Sequence, residues 1–145
     1  SLEAVREAIV NALVHRDYSG LTLGAQVQVE LHADRLVVRS PGGLYGPIAV
    51  EDLGEPGVSS SRNSTLVALL SDTFVPGSER LVVENRASGV PIMLRESRVL
   101  GQTRPEFESR IGSFTVTLSS SSLLSPDVLA WIEGLEVGPR SREKD

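Results

Sequence analysis

Arg6-Glu7-Ala8-Ile9-Val10-Asn11-Ala12-Leu13-Val14-His15-Arg16-Asp17-Tyr18 is the stretch whose reading decides the fold. Taken with the residues before it, it predicts an amphipathic helix over Leu2–Val14. Leu2, Val5, Ile9, Ala12 and Leu13 recur at the three-to-four spacing of one buried stripe. The polar run 15–20 ends that pattern, with Gly20 as the stop. Beside the apolar stripe, Glu7, Asn11 and His15 stand at i, i+4 and i+8 and make one polar line. A carboxylate and an amide one turn apart can orient a water and offer oxygen to Mg²⁺. The same spacing also describes a solvated helix face, and His15 alone reads as a helix C-terminal residue that complements the dipole.

Downstream, 26–31 alternates Val27, Val29 and Leu31 against Gln26, Gln28 and Glu30, the pattern of a half-buried strand. A turn at 32–35 and an apolar run at 36–39 complete a hairpin. The segment 40–61 is rich in glycine and proline, and only 50–53 offers a helical turn. A loop this long inside a compact domain is functional or mobile. Asn63 reads as the N-cap of a helix through Leu70, 74–79 as a turn, and Leu81 to Val83 as short and unassigned. Ser88-Gly89 with Pro91 in the first turn opens a helix to about Leu100. A strand at 114–118 follows Gly112, then a serine linker at 119–122, a short helix from Ser125 carrying Val128, Leu129, Trp131 and Ile132, and a frayed tail. These elements predict an α+β fold, a two-layer sandwich with helices on one face of a mixed, mostly antiparallel sheet. Residues 1–118 form the domain, and 119–145 lead out of it toward a missing C-terminal region.

Composition narrows the function. A chain of 145 residues is one domain's worth, and with aromatics at 4% its core is aliphatic. The absence of cysteine removes disulfides, thiolate metal sites and cysteine nucleophiles. Fourteen basic residues against nineteen acidic ones give a net charge of −5, which argues against nucleic-acid binding by this segment. There is no Gly-x-x-x-x-Gly-Lys-Ser/Thr phosphate loop, so helicase activity is not expected. No apolar run suits a membrane span and no leader is visible, which implies a cytoplasmic protein. The chain opens directly into a helix without Met and reads as a piece of something longer.

Two further segments could carry chemistry. Ser40-Pro41-Gly42-Gly43-Leu44 directly follows a strand, where glycines let backbone approach a ligand, or simply make a turn. Ser88-Gly89-Val90 opens a helix, whose free N–H groups suit an anion, or mark ordinary capping.

Residues 6–18 closely resemble the "REALVNALVHRDY" motif of a bacterial family. So do Asp34-Arg35-Leu36 through Leu44, Ser61-Arg62-Asn63, and Glu84-Asn85-Arg86-Ala87-Ser88-Gly89-Val90-Pro91. Members are RecG-like, "ATP-dependent DNA helicase-related" proteins or transcriptional regulators. They join a Schlafen/AlbA-type DNA-binding domain to a GHKL-like ATPase domain, often with a winged helix after it. Residues 123–131 look like the actinobacterial branch. The resemblance covers about Ser1 to Leu118. It implies that the first helix is the N-box, with Glu7 as the general base and Asn11 as the Mg²⁺ ligand, and that His15 lies in the cofactor site. It places Ser40, Gly42 and Gly43 in the first glycine box against adenine, and Ser88 and Gly89 in the second box on the phosphates. The stretch between would be the ATP lid. Three positions depart from the family pattern: Ser40 stands where an Asp reads adenine, Ala87 where a glycine precedes Ser88, and Ile92 where an Arg is usual. The implied function is an ATP- and Mg²⁺-binding regulatory domain, at most a weak ATPase, whose parent reaches DNA through flanking domains. The alternative is a non-catalytic dimerisation scaffold with a degenerate nucleotide site.

Overall fold

The computed structural model describes residues 1–58, 60–83, 88–121 and 127–128. In chain order the elements are α1 (Leu2–Val14), β1 (Gln28–Leu31), β2 (Arg35–Pro41), α2 (Ser64–Ser71), α3 (Gly89–Val99), β3 (Glu106–Arg110) and β4 (Ser113–Ser119). Single 3₁₀ turns sit at Gly20–Thr22 and Val50–Asp52.

Both ends of α1 are tied down. The Ser1 hydroxyl accepts the Glu3 N–H at 3.2 Å, and Glu3 puts a carboxylate in the positive first turn. At the other end the carbonyls of Leu13 and Val14 lack intrahelical donors, as at every helix C-terminus. Tyr18 Oη donates to Leu13 O at 2.8 Å, and the Asn63 amide donates to Val14 O and Arg16 O at 2.6 and 2.8 Å. Asn63 therefore holds the N-cap position of α2 while its side chain closes the end of α1.

The sheet runs β1-β2-β4-β3. Every neighbouring pair is antiparallel, so the expected mixed character is absent among the described strands. Registers align Val29, Val38, Val116 and Phe107 in one row across it. That row faces the helices. The core is Val38, Val116 and Leu118 from the sheet, Ala4, Ala8 and Ala12 from α1, and Met93 from α3. α1 and α3 lie against each other over the sheet.

The helix stripe differs from the expected one. Leu2 is 86% and Leu13 is 43% exposed, while Ala4, Ala8 and Ala12 are buried. Successive positions on a helix differ by about 100°, so this alanine line lies one residue away from the Val5-Ile9-Leu13 line. Small side chains let α1 approach both the sheet and α3 closely, and Val5 and Ile9 flank that contact from the side. β1 also departs from a half-buried pattern: all four of its residues are exposed, because it is the sheet's edge and α1 sits over β2 and β4. The unassigned stretch at Leu81 forms an antiparallel bridge with Phe74, and Val82 N–H donates to Thr73 O at 2.8 Å. β3 has no counterpart in the sequence reading.

Beyond β4 the backbone stays attached. Ser120 N–H donates to Asp34 O at 2.8 Å, and Ser121 O accepts from Thr103 N–H at 3.1 Å. The expectations for Glu84, Asn85, Arg86 and Ala87, and for the terminal apolar residues Leu123, Leu124, Leu129, Trp131 and Ile132, lie outside the described residues. Among the described residues, no helix is long and apolar enough to cross a membrane.

Candidate functional site

The sheet, α1, the start of α3 and the segment 44–61 enclose a cavity of about 190 Å³. Glu7, Asn11 and His15 reach it from α1, Ser40, Gly42 and Gly43 from the end of β2, and Gly89 from the first turn of α3. The structure thus brings seven of the eight sequence-predicted residues to one cavity. Ser88 takes the N-cap position of α3 and is not among the lining residues.

Glu7 is buried, unlike a residue on a solvated face. Arg6 Nη2 donates to Glu7 Oε1 at 3.0 Å and to Glu3 Oε1 at 2.9 Å, and Arg80 Nη2 meets Glu3 Oε1 at 2.7 Å. The Arg80 hydrogen bond, with Arg6 adding its charge, holds the Glu3 carboxyl below the usual range. Arg6 also donates to Leu81 O, so this network joins the small 74–81 hairpin to the helix that carries Glu7.

Asn11 lies against Gly89. A Cβ on Gly89 would stand 2.9 Å from Asn11 Cγ, a distance that real side chains do not adopt. The two implied nucleotide elements therefore meet in space, although 78 positions separate them in sequence (89 − 11).

His15 is the C-cap of α1. Burial, with the Arg62 charge nearby, pushes its pKa below 6.5. It is neutral at physiological pH, and this corrects the reading of His15 as a cation complementing the helix dipole.

Ser40 is buried, and its hydroxyl donates to Ala12 O at 2.7 Å. The hydroxyl proton is committed to stitching β2 to α1, which leaves only oxygen lone pairs for any ligand. Gly42 has φ +92°, and a Cβ there would stand 2.7 Å from Asp17 Cβ. At Gly43 a Cβ would overlap the Arg110 carbonyl. Gly42 is required by backbone shape and by packing, and Gly43 by packing alone.

The sequence reading gave no role to Arg62 or Tyr45. Arg62 Nη2 donates to Gly43 O at 2.9 Å, Arg62 Nη1 lies 3.7 Å from Asp17 Oδ2, and its guanidinium sits 5.1 Å from the centre of the Tyr45 ring. It clasps the glycine segment to the turn after α1. Tyr45, Ile48, Leu53 and Val58 line the cavity from segment 44–61. The available signal was the Ser61-Arg62-Asn63 motif, whose last two residues both bind the end of α1 or the glycine segment.

Chemically, the cavity offers one carboxylate, one amide, several hydroxyls and much apolar surface. Among the described residues no group of three or more His, Cys, Asp or Glu could cage a metal ion. A cation here would need oxygens from a ligand, which is how Mg²⁺ is commonly held.

No curated protein and no solved structure matches the chain. A family model described as "Putative ATP-dependent DNA helicase recG C-terminal" matches residues 24–118, which leaves α1 outside the matched segment. That match spans most of the chain, and the chain belongs to this family.

Proposed function

We propose that the cavity is a nucleotide site and that the chain is an ATP- and Mg²⁺-binding regulatory domain. The observation that carries this reading is the seating of Asn11 against Gly89, on a cavity that Glu7 and the Gly42-Gly43 turn also line. The groups are of the kind needed. Asn11 and Glu7 supply hard oxygens that would hold Mg²⁺ together with phosphate oxygens. The start of α3, where Gly89 and Val90 line the cavity, supplies the positive end of a helix. Membership of an ATPase-type family supports the same reading.

Turnover by this chain is slow at most. Arg6 Nη2 already donates to Glu7 Oε1 at 3.0 Å, so one oxygen of the proposed general base is engaged away from a reacting water. Nucleotide occupancy is the signal in this proposal, and the parent is a cytoplasmic, actinobacterial-type transcriptional regulator that reaches DNA through flanking domains. The charge of −5 fits a segment that does not itself hold DNA.

The test is isothermal titration of ATP with Mg²⁺ into the protein, with Asn11→Ala alongside. A saturable heat that Asn11→Ala abolishes supports the site. No heat at millimolar ATP overturns it.

One observation favours the dimerisation reading. Val29 and Leu31 are exposed on the edge strand β1, and Leu31 is 83% exposed. An apolar edge strand with free backbone groups is a pairing surface. Light scattering coupled to size exclusion should show a dimer that Leu31→Lys dissociates, and a monomeric wild-type protein refutes this reading.

A further inference from the structure

The end of the sandwich opposite the Asn11–Gly89 contact carries apolar surface that the described residues leave uncovered. Leu2 at the start of α1 is 86% exposed, Leu31 at the end of β1 83%, Val99 at the end of α3 74%, and Leu100 beside it 51%. Single exposed apolar residues are ordinary, whereas several at one end of a domain mark a surface that something covers.

Contacts place these residues at the same end. Ser1 Oγ donates to Glu96 Oε2 at 2.7 Å, so the start of α1 meets the last turns of α3. Across the sheet, Leu31 is paired with Leu36 and Leu36 with Leu118. Leu118 belongs to the buried core and Leu36 packs against it. Leu31 therefore continues a core row beyond the helices that cover it.

The chain itself returns to this end. Ser120 N–H donates to Asp34 O at 2.8 Å, in the turn after β1, and Ser121 O accepts from Thr103 N–H at 3.1 Å, just past α3. Two residues further on, the sequence turns apolar: Leu123 and Leu124, then Leu129, Trp131 and Ile132. From β4 to β1 is two strand spacings, about 10 Å, which about three extended residues cover. A segment tethered this close meets the surface at a high effective concentration, an advantage that a separate partner lacks.

We propose that residues 123–132 dock on the surface formed by Leu2, Leu31, Val99 and Leu100, as an intramolecular cap on the end of the sandwich. The proposal is independent of the nucleotide reading. The dimer reading claims Leu31 for a second copy of the chain, and the experiment separates the two.

Trp131 is the chain's only tryptophan and serves as the probe. Its fluorescence emission and acrylamide quenching are recorded in the full chain over a dilution series, for wild type, Leu31→Lys, Val99→Lys and Leu21→Lys. Leu21 is 96% exposed in the turn after α1, at the opposite end, and is the control. All three positions are exposed, and circular dichroism checks that each variant folds. The expected wild-type emission lies to the blue of its position in urea and is independent of concentration. Leu31→Lys and Val99→Lys should each shift it to the red and raise quenching several-fold, and Leu21→Lys should do neither. A wild-type emission already at its urea position overturns the proposal. So does a shielded Trp131 that neither Leu31→Lys nor Val99→Lys moves. Shielding that is lost on dilution assigns the surface to a second copy and overturns the proposal as well.

Discussion

Gly89→Ala probes the contact that unites the candidate site. The new Cβ would stand 2.9 Å from Asn11 Cγ and 3.0 Å from Asn11 Oδ1. Contacts that close force one partner to move, and overpacking of this kind costs about 1–3 kcal/mol. The backbone itself raises no objection. Gly89 is the first residue of α3 and is absent from the positive-φ glycines, so alanine suits its conformation. In a background where Asn11 is already alanine the clash partner is gone. There the substitution should gain about 0.5 kcal/mol from helix propensity and reduced chain entropy. A double-mutant cycle in urea should then report a coupling of about 1.5–3.5 kcal/mol between the two positions. For a chain of this size 1 kcal/mol corresponds to roughly 2–4 °C in Tm, so thermal melts would resolve it. Equal costs in the two backgrounds would refute the contact, as would a Gly89→Ala protein as stable as wild type. The same substitution should also weaken nucleotide binding, because a displaced amide no longer faces the cavity.

Three other outcomes follow from the site's construction. Ser40→Ala removes the buried bond to Ala12 O and should lower stability by about 1 kcal/mol in urea titration. Arg62→Ala removes the charged donor from Gly43 O and should cost about 1–2 kcal/mol, with faster chymotryptic cleavage at Tyr45 or Leu53 in the released segment. His15 has a folded pKa below its unfolded value of 6.5, so the unfolded chain takes up the proton first as pH falls. The stability it contributes is full above 6.5 and is lost as pH drops through 6.5 toward the folded value. His15→Gln should flatten that acid-side decline, and a wild-type imidazole titrating at or above 6.5 by NMR would refute the burial argument.

Much of this fold was legible because its signals are local. The length of α1, the hairpin of β1 and β2, the 3₁₀ turn at Val50–Asp52, and the starts of α2 and α3 each follow from spacing or punctuation within a few residues. What stayed hidden depends on partners distant in sequence. β3 contributes only Phe107 and Ser109 to the inner side and is otherwise charged, so its pairing with β4 defines it. The choice between two adjacent stripes on α1 is made by what packs on it, and Met93 is 81 residues away (93 − 12) from the nearest alanine of that stripe. For the site, the residue types were legible and their surroundings were not. Nothing local showed that Glu7 would be buried, that Ser40 would spend its proton on Ala12 O, or that Arg62 would hold the glycine segment.

The alanine stripe links stability to the site. A helix that buried leucines at Ala4, Ala8 and Ala12 would stand farther from the sheet and from α3. Buried alanines contribute less hydrophobic free energy than leucines, each lost methylene being worth about 0.8 kcal/mol. In return α1 comes near enough to α3 for Asn11 to reach Gly89, and Glu7 lines the same cavity one turn earlier. The network Arg80–Glu3–Arg6–Glu7 then fixes the outer side of the same helix turn. In the proposed regulatory role, a ligand drawing Glu7 inward would have to compete with Arg6, and the hydrogen bonds from Arg6 through Glu3 to Arg80 would be the route by which that shift reached the 74–81 hairpin.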